Sequence, residues 1–224
     1  MKLSHYKTLG LASALVLTLS AAAQAATVSY NQAYSFPLSP GNTVVNLQQW
    51  DPAAFPGQTL VSVELTLDAT IQADVTAEND SAISGNMGVN LVGFANATAP
   101  SAISTTVLAN QVAGPFAVAA TDGNPGSGPD FINFGTVSDT DTDSDLIVAL
   151  LAPYIGNATF ATNISGNGGF SVSGVTDSTL QIANFGAAGE VTVTYTFVPE
   201  PSSVVMAVLG AAGLGLVARR RRRS

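Results

Sequence analysis

The sequence VSVELTLDATIQADVTA, from Val61 to Ala77, alternates strictly, with an apolar residue at every odd position and a polar residue at every even position. A period of two predicts β-structure with one buried face and one solvated face. Because strands usually have five or six residues, the stretch predicts one long strand bent by a bulge, or two strands of shared parity with a break near Asp68 to Thr70.

The polar face of this stretch carries four acidic residues. We interpret them as a solvated face that suppresses aggregation at a sheet edge, rather than as a binding site. The four are Glu64, Asp68, Asp74 and Glu78.

Further strand candidates lie on both sides of this stretch and are separated by turn-forming residues. Eight to eleven short strands predict an all-β fold, a single antiparallel β-sandwich of jelly-roll-like form, over residues 26–197. Only Leu146 to Ile155 has helical spacing, and it predicts a short helix that ends at Pro153. We expect Trp50, the one tryptophan, to pack in the core rather than form a ligand platform. The other strand candidates are 27–38, 42–50, 82–96, 105–118, 131–137, 156–165, 169–174, 179–185 and 190–197.

The composition of this central part restricts its chemistry. Ala26 to Val198 contains no Lys, Arg, His or Cys, and it holds fourteen of the fifteen acidic residues. A histidine base, a lysine or thiol nucleophile, and imidazole or thiolate metal sites are therefore excluded. Nucleic-acid binding is not expected, because it needs cationic contacts. Carboxylate chemistry, hard cations and hydroxyl-based recognition remain, and no enzymatic activity is expected.

The first 25 residues have the pattern of a secretory signal peptide. Lys2 and Lys7 form a basic start, an apolar run follows from Leu9 to Leu19, and Ala23-Gln24-Ala25 is an A-x-A cleavage site. The mature chain should begin near Ala26, and the protein should be exported.

The last 27 residues divide into three parts. Residues 198–203 contain Pro199, Glu200 and Pro201, which predict a stiff, exposed hinge because proline lacks a donor and cannot continue a strand. Residues 204–218 are apolar or small and predict a short membrane helix of roughly 22 Å. That length is marginal against a bilayer core of about 30 Å. The final part, residues 219–224, should stay in the cytoplasm. Its basic cluster is Arg219, Arg220, Arg221, Arg222 and Arg223.

This order of Val-Pro-Glu-Pro-Ser-Ser, apolar segment and arginine cluster resembles a PEP-CTERM sorting signal. The resemblance implies recognition by exosortase, a membrane peptidase that cleaves near the Pro-Glu-Pro motif. It also implies a Gram-negative bacterium that makes extracellular polysaccharide. The alternative is an ordinary C-terminal anchor that follows a chance Pro-Glu-Pro. Under the sorting interpretation the protein is anchored in the inner membrane before processing, and is afterwards at the cell surface or outside the cell.

The body of the chain resembles the choice-of-anchor E family of exported bacterial domains. The stretches that carry the resemblance are Leu47 to Pro52 ahead of Leu60 to Leu67, Asp145-Leu146 with Tyr154-Ile155-Gly156, and Glu190 to Phe197. The resemblance implies a location and a fold, and it supplies no catalytic residue.

Asp139, Asp141, Asp143 and Asp145 alternate with hydroxyl residues in the one local cluster that suggests ligand chemistry. In a loop, these carboxylates could converge on Ca²⁺, which prefers several oxygen ligands. The spacing starts like an EF-hand loop, but Ser144 and Leu150 occupy the positions that need glycine and glutamate. Two interpretations remain, a solvated acidic loop or a low-affinity extracellular Ca²⁺ site.

Three functions are compatible with these features. The first is a non-enzymatic surface or matrix protein, associated with exopolysaccharide in a biofilm through divalent cations. The second is a carbohydrate- or ligand-binding sandwich, which would be Ca²⁺-dependent if the aspartate site exists, and which requires exposed aromatic residues. The third is a glycosidase with two carboxylates about 5–10 Å apart in a cleft.

Overall fold

The computed structural model describes residues 24–200 and contains eight β-strands and no α-helix in that range. The strands form two four-stranded antiparallel sheets, ordered β1-β8-β3-β6 and β2-β7-β4-β5. The predicted all-β sandwich is therefore confirmed. The bounds are β1 Ala26–Pro37, β2 Gly41–Gln48, β3 Gln58–Asn79, β4 Gly85–Thr98, β5 Ser104–Val118, β6 Phe131–Ile147, β7 Thr159–Ser173 and β8 Ser178–Pro199.

The strands pair from the ends of the domain inward. β1 pairs with β8, β2 with β7, β3 with β6 and β4 with β5, so the chain forms one long antiparallel ribbon with the β4–β5 connection at its tip. Two further ladders, β3 with β8 and β4 with β7, wrap this ribbon into two facing sheets. This order is that of an eight-stranded jelly roll.

The alternating stretch forms one unbroken strand, β3, which is central in its sheet. Odd positions from Val63 to Ala77 are buried. The register shifts at Leu60/Ser62 and Gln72/Asp74 against β8, and at Val75/Thr76 against β6. The prediction of one long bulged strand is confirmed, but the irregularities lie outside Asp68 to Thr70. A bulge at Val61 lets Leu60 enter the core despite its even number.

The core lies between the sheets and contains apolar side chains from both inner faces. Tyr195 is fully buried on β8, and its hydroxyl donates to the Gln48 carbonyl at 2.7 Å, which joins the two sheets. Trp50 is 3 % exposed and stacks on Phe55. The prediction that Trp50 packs in the core is confirmed.

The predicted helix at Leu146 to Ile155 is wrong. Leu146 and Ile147 end β6, and only Ala152–Tyr154 forms a turn of 3₁₀-helix, with Pro153 inside it. Tyr154 fills the core at this point and donates a short hydrogen bond to the Pro100 carbonyl. The buried Tyr154 and its hydrogen bond to the backbone therefore hold this segment in place. The segment does not need the continuous apolar face of a helix.

Several strands are longer than the sequence predicts. The candidates at 156–165 and 169–174 belong to one strand, β7, and those at 179–185 and 190–197 belong to one strand, β8. The glycines that separate these candidates lie within the strands. Glycine is needed there because the neighbouring strand approaches too closely to leave room for a side chain. A Cβ at Gly168 would stand 3.0 Å from the Val92 carbonyl oxygen.

Within residues 24–200, no helix is long and apolar enough to cross a membrane. The predicted membrane helix at 204–218 and the arginines Arg219 to Arg223 lie outside the described residues, as does the predicted signal peptide except for its last two positions.

Candidate functional site

The predicted sorting hinge begins inside the folded domain. Pro199 is the last residue of β8 and lies opposite Gln58 of β3. The prediction that this proline cannot continue a strand is therefore wrong. The ladder between β1 and β8 has already ended at the Ala26–Phe197 pair. No residue of β1 therefore needs a backbone N–H from position 199, and a proline is tolerated there. Pro201 lies outside the described residues.

Glu200 is held against the start of β3 by two hydrogen bonds. Its backbone N–H donates to the Gly57 carbonyl at 2.8 Å, and its Oε1 accepts the Thr59 hydroxyl at 3.1 Å. Gly57 has a φ of +71°, a backbone conformation that favours glycine and turns its segment towards the end of β8. The first two residues of the Pro-Glu-Pro motif are thus docked on the domain.

Both ends of the folded domain emerge at the same place. Ala26, the predicted first residue after signal-peptide cleavage, is paired with Phe197 of β8. Phe197 packs against Phe55 with ring centroids 4.7 Å apart, and Trp50 lies beside both. An aromatic cluster therefore covers the end of the sandwich from which the N-terminus and the sorting motif depart.

The four alternating aspartates lie on β6 rather than in a loop. Asp145, Asp143, Asp141 and Asp139 stand opposite Leu65, Leu67, Ala69 and Ile71 of β3, so their side chains lie on the inward face of this edge strand. The predicted acidic loop is therefore wrong. The run forms a strand because its inward carboxylates face β5, the open edge of the other sheet.

Three of these carboxylates accept hydrogen bonds from β5. Asp139 Oδ2 accepts the Asn110 N–H at 2.8 Å, and Asp145 Oδ2 accepts the Ser104 N–H at 3.0 Å. The Thr106 N–H at 3.0 Å and the Thr105 hydroxyl at 2.8 Å both donate to Asp143 Oδ2.

These bonds satisfy edge groups that have no neighbouring strand. The bond from the Thr106 N–H, and then that from the Thr105 hydroxyl, lower the pKa of Asp143 below its usual value. Asp141 makes no bond to β5 and instead accepts the following Thr142 N–H at 2.9 Å. We call this line of contacts the aspartate seam.

The aspartate seam does not bring its carboxylates together around one point. Among residues 24–200, no three acidic or other metal-binding side chains are grouped so that they could hold a metal ion. The Ca²⁺ site proposed from Asp139, Asp141, Asp143 and Asp145 gains no support from this arrangement, which gives three of the four carboxylates hydrogen-bond donors on β5.

Two acidic residues at the other end of β3 are buried, which the sequence pattern did not predict. Glu78 is 7 % exposed and its Oε2 accepts the Gly126 N–H at 2.8 Å, so it is not part of a solvated face. Asp130 is completely buried at the end of the loop that precedes β6. No local signal distinguishes Asp130 from its Gly- and Pro-rich surroundings, since its burial depends on β3.

A ligand-binding module or a glycosidase would need a suitably lined depression on the surface of the domain. One shallow, open depression is lined by Phe36, Gln72, Asn184 and Phe185 and by small residues, and no carboxylate lines it. The outward face of the β1-β8-β3-β6 sheet presents rows of hydroxyl and acidic side chains, including the Thr70–Thr140 hydroxyl pair at 2.7 Å.

Comparison with solved structures finds weak similarity to proteins in structures of infectious bursal disease virus. The Gt strain matches at 12 % identity and a TM-score of 0.11 over 81 % of this chain and 43 % of that chain. The VP2 subviral particle matches at 11 % identity and a TM-score of 0.12 over 90 % of this chain and 50 % of that chain. The chain thus spans half or less of these proteins, and scores this low support no conclusion. No curated protein matches the chain significantly.

Comparison with protein families identifies the C-terminal region. Residues 197–223 match the PEP-CTERM protein-sorting motif. The match starts at Phe197, within β8, and includes the docked Pro199 and Glu200. The motif indicates a protein that is exported by a Gram-negative bacterium and processed by exosortase.

Proposed function

We propose that this chain is a non-enzymatic surface or matrix protein, held at the inner membrane by its C-terminal segment until exosortase cleaves near Pro199 to Pro201. The observation that carries the proposal is the direct continuation of β8 into the sorting motif. Because β8 pairs with both β1 and β3, cleavage beyond Glu200 leaves every strand of the sandwich in place.

The positions of the two termini support this order of events. Signal-peptide cleavage near Ala26 and sorting near Pro199 act on adjacent strands at one end of the domain. A domain with this arrangement can stand on the membrane at that end, with its opposite end and both outer sheet faces accessible to the exterior.

Association with extracellular polysaccharide is the second part of the proposal. With fourteen acidic residues and no cationic side chain between Ala26 and Val198, the domain repels an anionic polymer unless divalent cations bridge the two. Rows of hydroxyl and carboxylate oxygens on the outward face of the first sheet provide groups for such bridging. Washing cells with a chelator should release the processed protein, and unchanged association would contradict cation bridging.

The non-enzymatic character of the domain is supported by its composition and surface. Residues 26–198 lack His, Lys, Arg and Cys, and the depression beside Phe36 has no carboxylate in its lining. Trp50 is buried, so it does not supply the aromatic platform that a carbohydrate-binding module would use. The resemblance to the choice-of-anchor E family, which no comparison supports, stays a prediction.

The experiment that tests the sorting proposal is intact-mass determination of the protein recovered outside cells of its native host. We expect a chain that begins near Ala26 and ends between Pro199 and Ser203. A variant with Pro199→Ala, Glu200→Gln and Pro201→Ala should remain in the membrane fraction with its arginines, whereas the control Glu190→Gln on the same strand should be processed normally. An extracellular wild-type protein that retains Arg219 to Arg223 would refute the proposal.

A further inference from the structure

Asp130 has a buried carboxylate, and only one of its two oxygen atoms accepts a hydrogen bond. The residue is 0 % exposed, and its backbone carbonyl accepts the Asn79 N–H at 2.9 Å at the end of β3. Its Oδ2 accepts the Asp122 N–H at 2.7 Å, but its Oδ1 has no hydrogen-bond partner in the protein. Leaving a buried charged oxygen without a partner is costly.

The unpartnered oxygen points to a space that it shares with a second carboxylate. A Cβ placed on Gly128 would stand 2.8 Å from Asp130 Oδ1 and would clash with Asp122 Oδ2. Both oxygens therefore border one small space beside the Gly128 backbone. Gly128 has a φ of +108°, so both its conformation and this space require glycine.

No side chain of the domain can neutralise this pair. Residues 26–198 contain no Lys, Arg or His, and the nearly buried Glu78 adds a third negative charge where its Oε2 accepts the Gly126 N–H. Asp122 is exposed and Asp130 is fully buried, so the two like charges repel each other and the buried one lacks a counter-charge. A bound cation would supply that counter-charge from outside the chain.

The donor chemistry selects the type of cation. Asp122 and Asp130 supply only oxygen atoms, which hard cations prefer, and Ca²⁺ accepts backbone carbonyls and water as its remaining ligands at about 2.3–2.6 Å. We propose that the loop between β5 and β6 binds one Ca²⁺ ion through Asp122 Oδ2 and Asp130 Oδ1, beside Gly128. Backbone carbonyls and water complete the coordination, since no third acidic side chain within residues 24–200 joins these two in a metal-binding group.

The structural role of the ion follows from what the loop touches. The loop from Ala119 to Asp130 contacts the end of β3 through the Gly126–Glu78 and Asn79–Asp130 hydrogen bonds. A cation between Asp122 and Asp130 ties the two ends of this loop together. It thereby stabilises the end of the sandwich that lies away from the sorting motif.

Calcium-dependent unfolding of the exported protein tests the proposal. After treatment with EDTA, about 10 mM CaCl₂ should raise the Tm by about 3–10 °C, given the ~10⁻⁴–10⁻³ M affinities of extracellular calcium modules and a domain of this size. Calorimetric titration with CaCl₂ should give one ion per chain. No change in Tm and no binding heat would overturn the proposal.

Two variants and one control locate the site. Asp122→Asn retains an amide oxygen for the Asn124 N–H that Asp122 Oδ1 accepts at 2.8 Å, so it should fold and lose the calcium effect. Asp130→Asn should also lose the effect, and in EDTA its Tm should equal or exceed that of the wild type because one buried charge is removed. The control Asp139→Asn in the aspartate seam should keep the full effect. A calcium effect that survives Asp122→Asn, or that Asp139→Asn abolishes, would overturn the assignment.

Discussion

The carboxylate of Asp139 on β6 accepts the backbone N–H of Asn110 on β5 at 2.8 Å, and so joins the open edges of two different sheets. Asp143 and Asp145 repeat this contact along the same two strands. Inward-pointing charges on an edge strand usually prevent further strand pairing. In this domain they also supply acceptors to N–H groups that would otherwise lack a partner.

The first prediction concerns the stability of this seam. Asp143→Ala removes the acceptor of the Thr106 N–H and the Thr105 hydroxyl, so it should lower the free energy of unfolding by about 1 kcal/mol or more. The control Asp141→Ala removes the same charge from the same face of β6 but no contact to β5, and it should have little effect. Urea denaturation of both variants measures the difference. Equal destabilisation would show that charge, rather than the seam, governs stability.

The second prediction concerns acid. Hydrogen bonds from Thr106 and Thr105 lower the pKa of Asp143 in the folded state. Its contribution to the free energy of unfolding is therefore complete above the unfolded-state pKa of about 3.9, and it is lost as the pH falls through the lower folded-state pKa. The stability difference between Asp143→Ala and Asp141→Ala should therefore be constant from pH 7 to about pH 5 and shrink below about pH 4. Comparing these two variants cancels the general loss of charge repulsion on acidification. A difference that is unchanged at pH 2 would contradict the assignment.

The third prediction concerns alkali. Burial raises the pKa of Tyr195 well above its usual value, as it does for Tyr34 and Tyr154. Because these three tyrosines ionise near pH 10 in the unfolded chain but stay neutral there in the folded chain, their contribution to stability should be complete below about pH 10 and decline above it. Tyr195→Phe should cost about 1 kcal/mol at pH 7 through loss of the bond to Gln48, and should decline less steeply in alkali. Tyrosinate absorbance, followed together with unfolding, measures both effects.

The fourth prediction concerns the centre of the first sheet. Gly189 lies between Tyr34 of β1 and Ala69 of β3, and a Cβ there would overlap the Asp68 carbonyl. Gly189→Ala should therefore destabilise the domain by about 2 kcal/mol or more. Gly169→Ala on β7 is the matched control, because nothing lies within 4 Å of its Cβ position, and it should be neutral or slightly stabilising. Similar thermal unfolding of the two variants would contradict the predicted overlap.

The fifth prediction links the fold to processing. Exosortase must reach a motif whose Glu200 is held by the Thr59 hydroxyl and the Gly57 carbonyl. A hydrogen bond of about 0.5–1.5 kcal/mol changes the undocked fraction by roughly two- to tenfold, so Thr59→Val should accelerate cleavage by up to that factor. Pulse-chase analysis in the native host measures the rate, with Thr192→Val on β8 as the control. Slower cleavage in Thr59→Val would indicate that the docked form is the one recognised.

The sequence by itself determined the features that depend on neighbouring residues. Alternation from Val61 to Ala77 establishes a strand and its buried face, because successive side chains of a strand point to opposite sides. The absence of Lys, Arg and His from residues 26–198 excludes whole classes of chemistry regardless of fold. The order of Pro-Glu-Pro, apolar segment and arginines is contiguous, and the match at residues 197–223 confirms the sorting motif.

Only the tertiary structure decided the features that depend on distant partners. The aspartates from Asp139 to Asp145 have too little apolar character to predict a strand, and they form one because β5 provides donors across the sandwich. Pro199 continues β8 because Gln58 lies beside it and the β1 ladder has ended. Asp130 becomes a half-satisfied buried charge only when its loop folds against β3. In each case the deciding contact joins residues far apart in the chain, and no local pattern of residues encodes it.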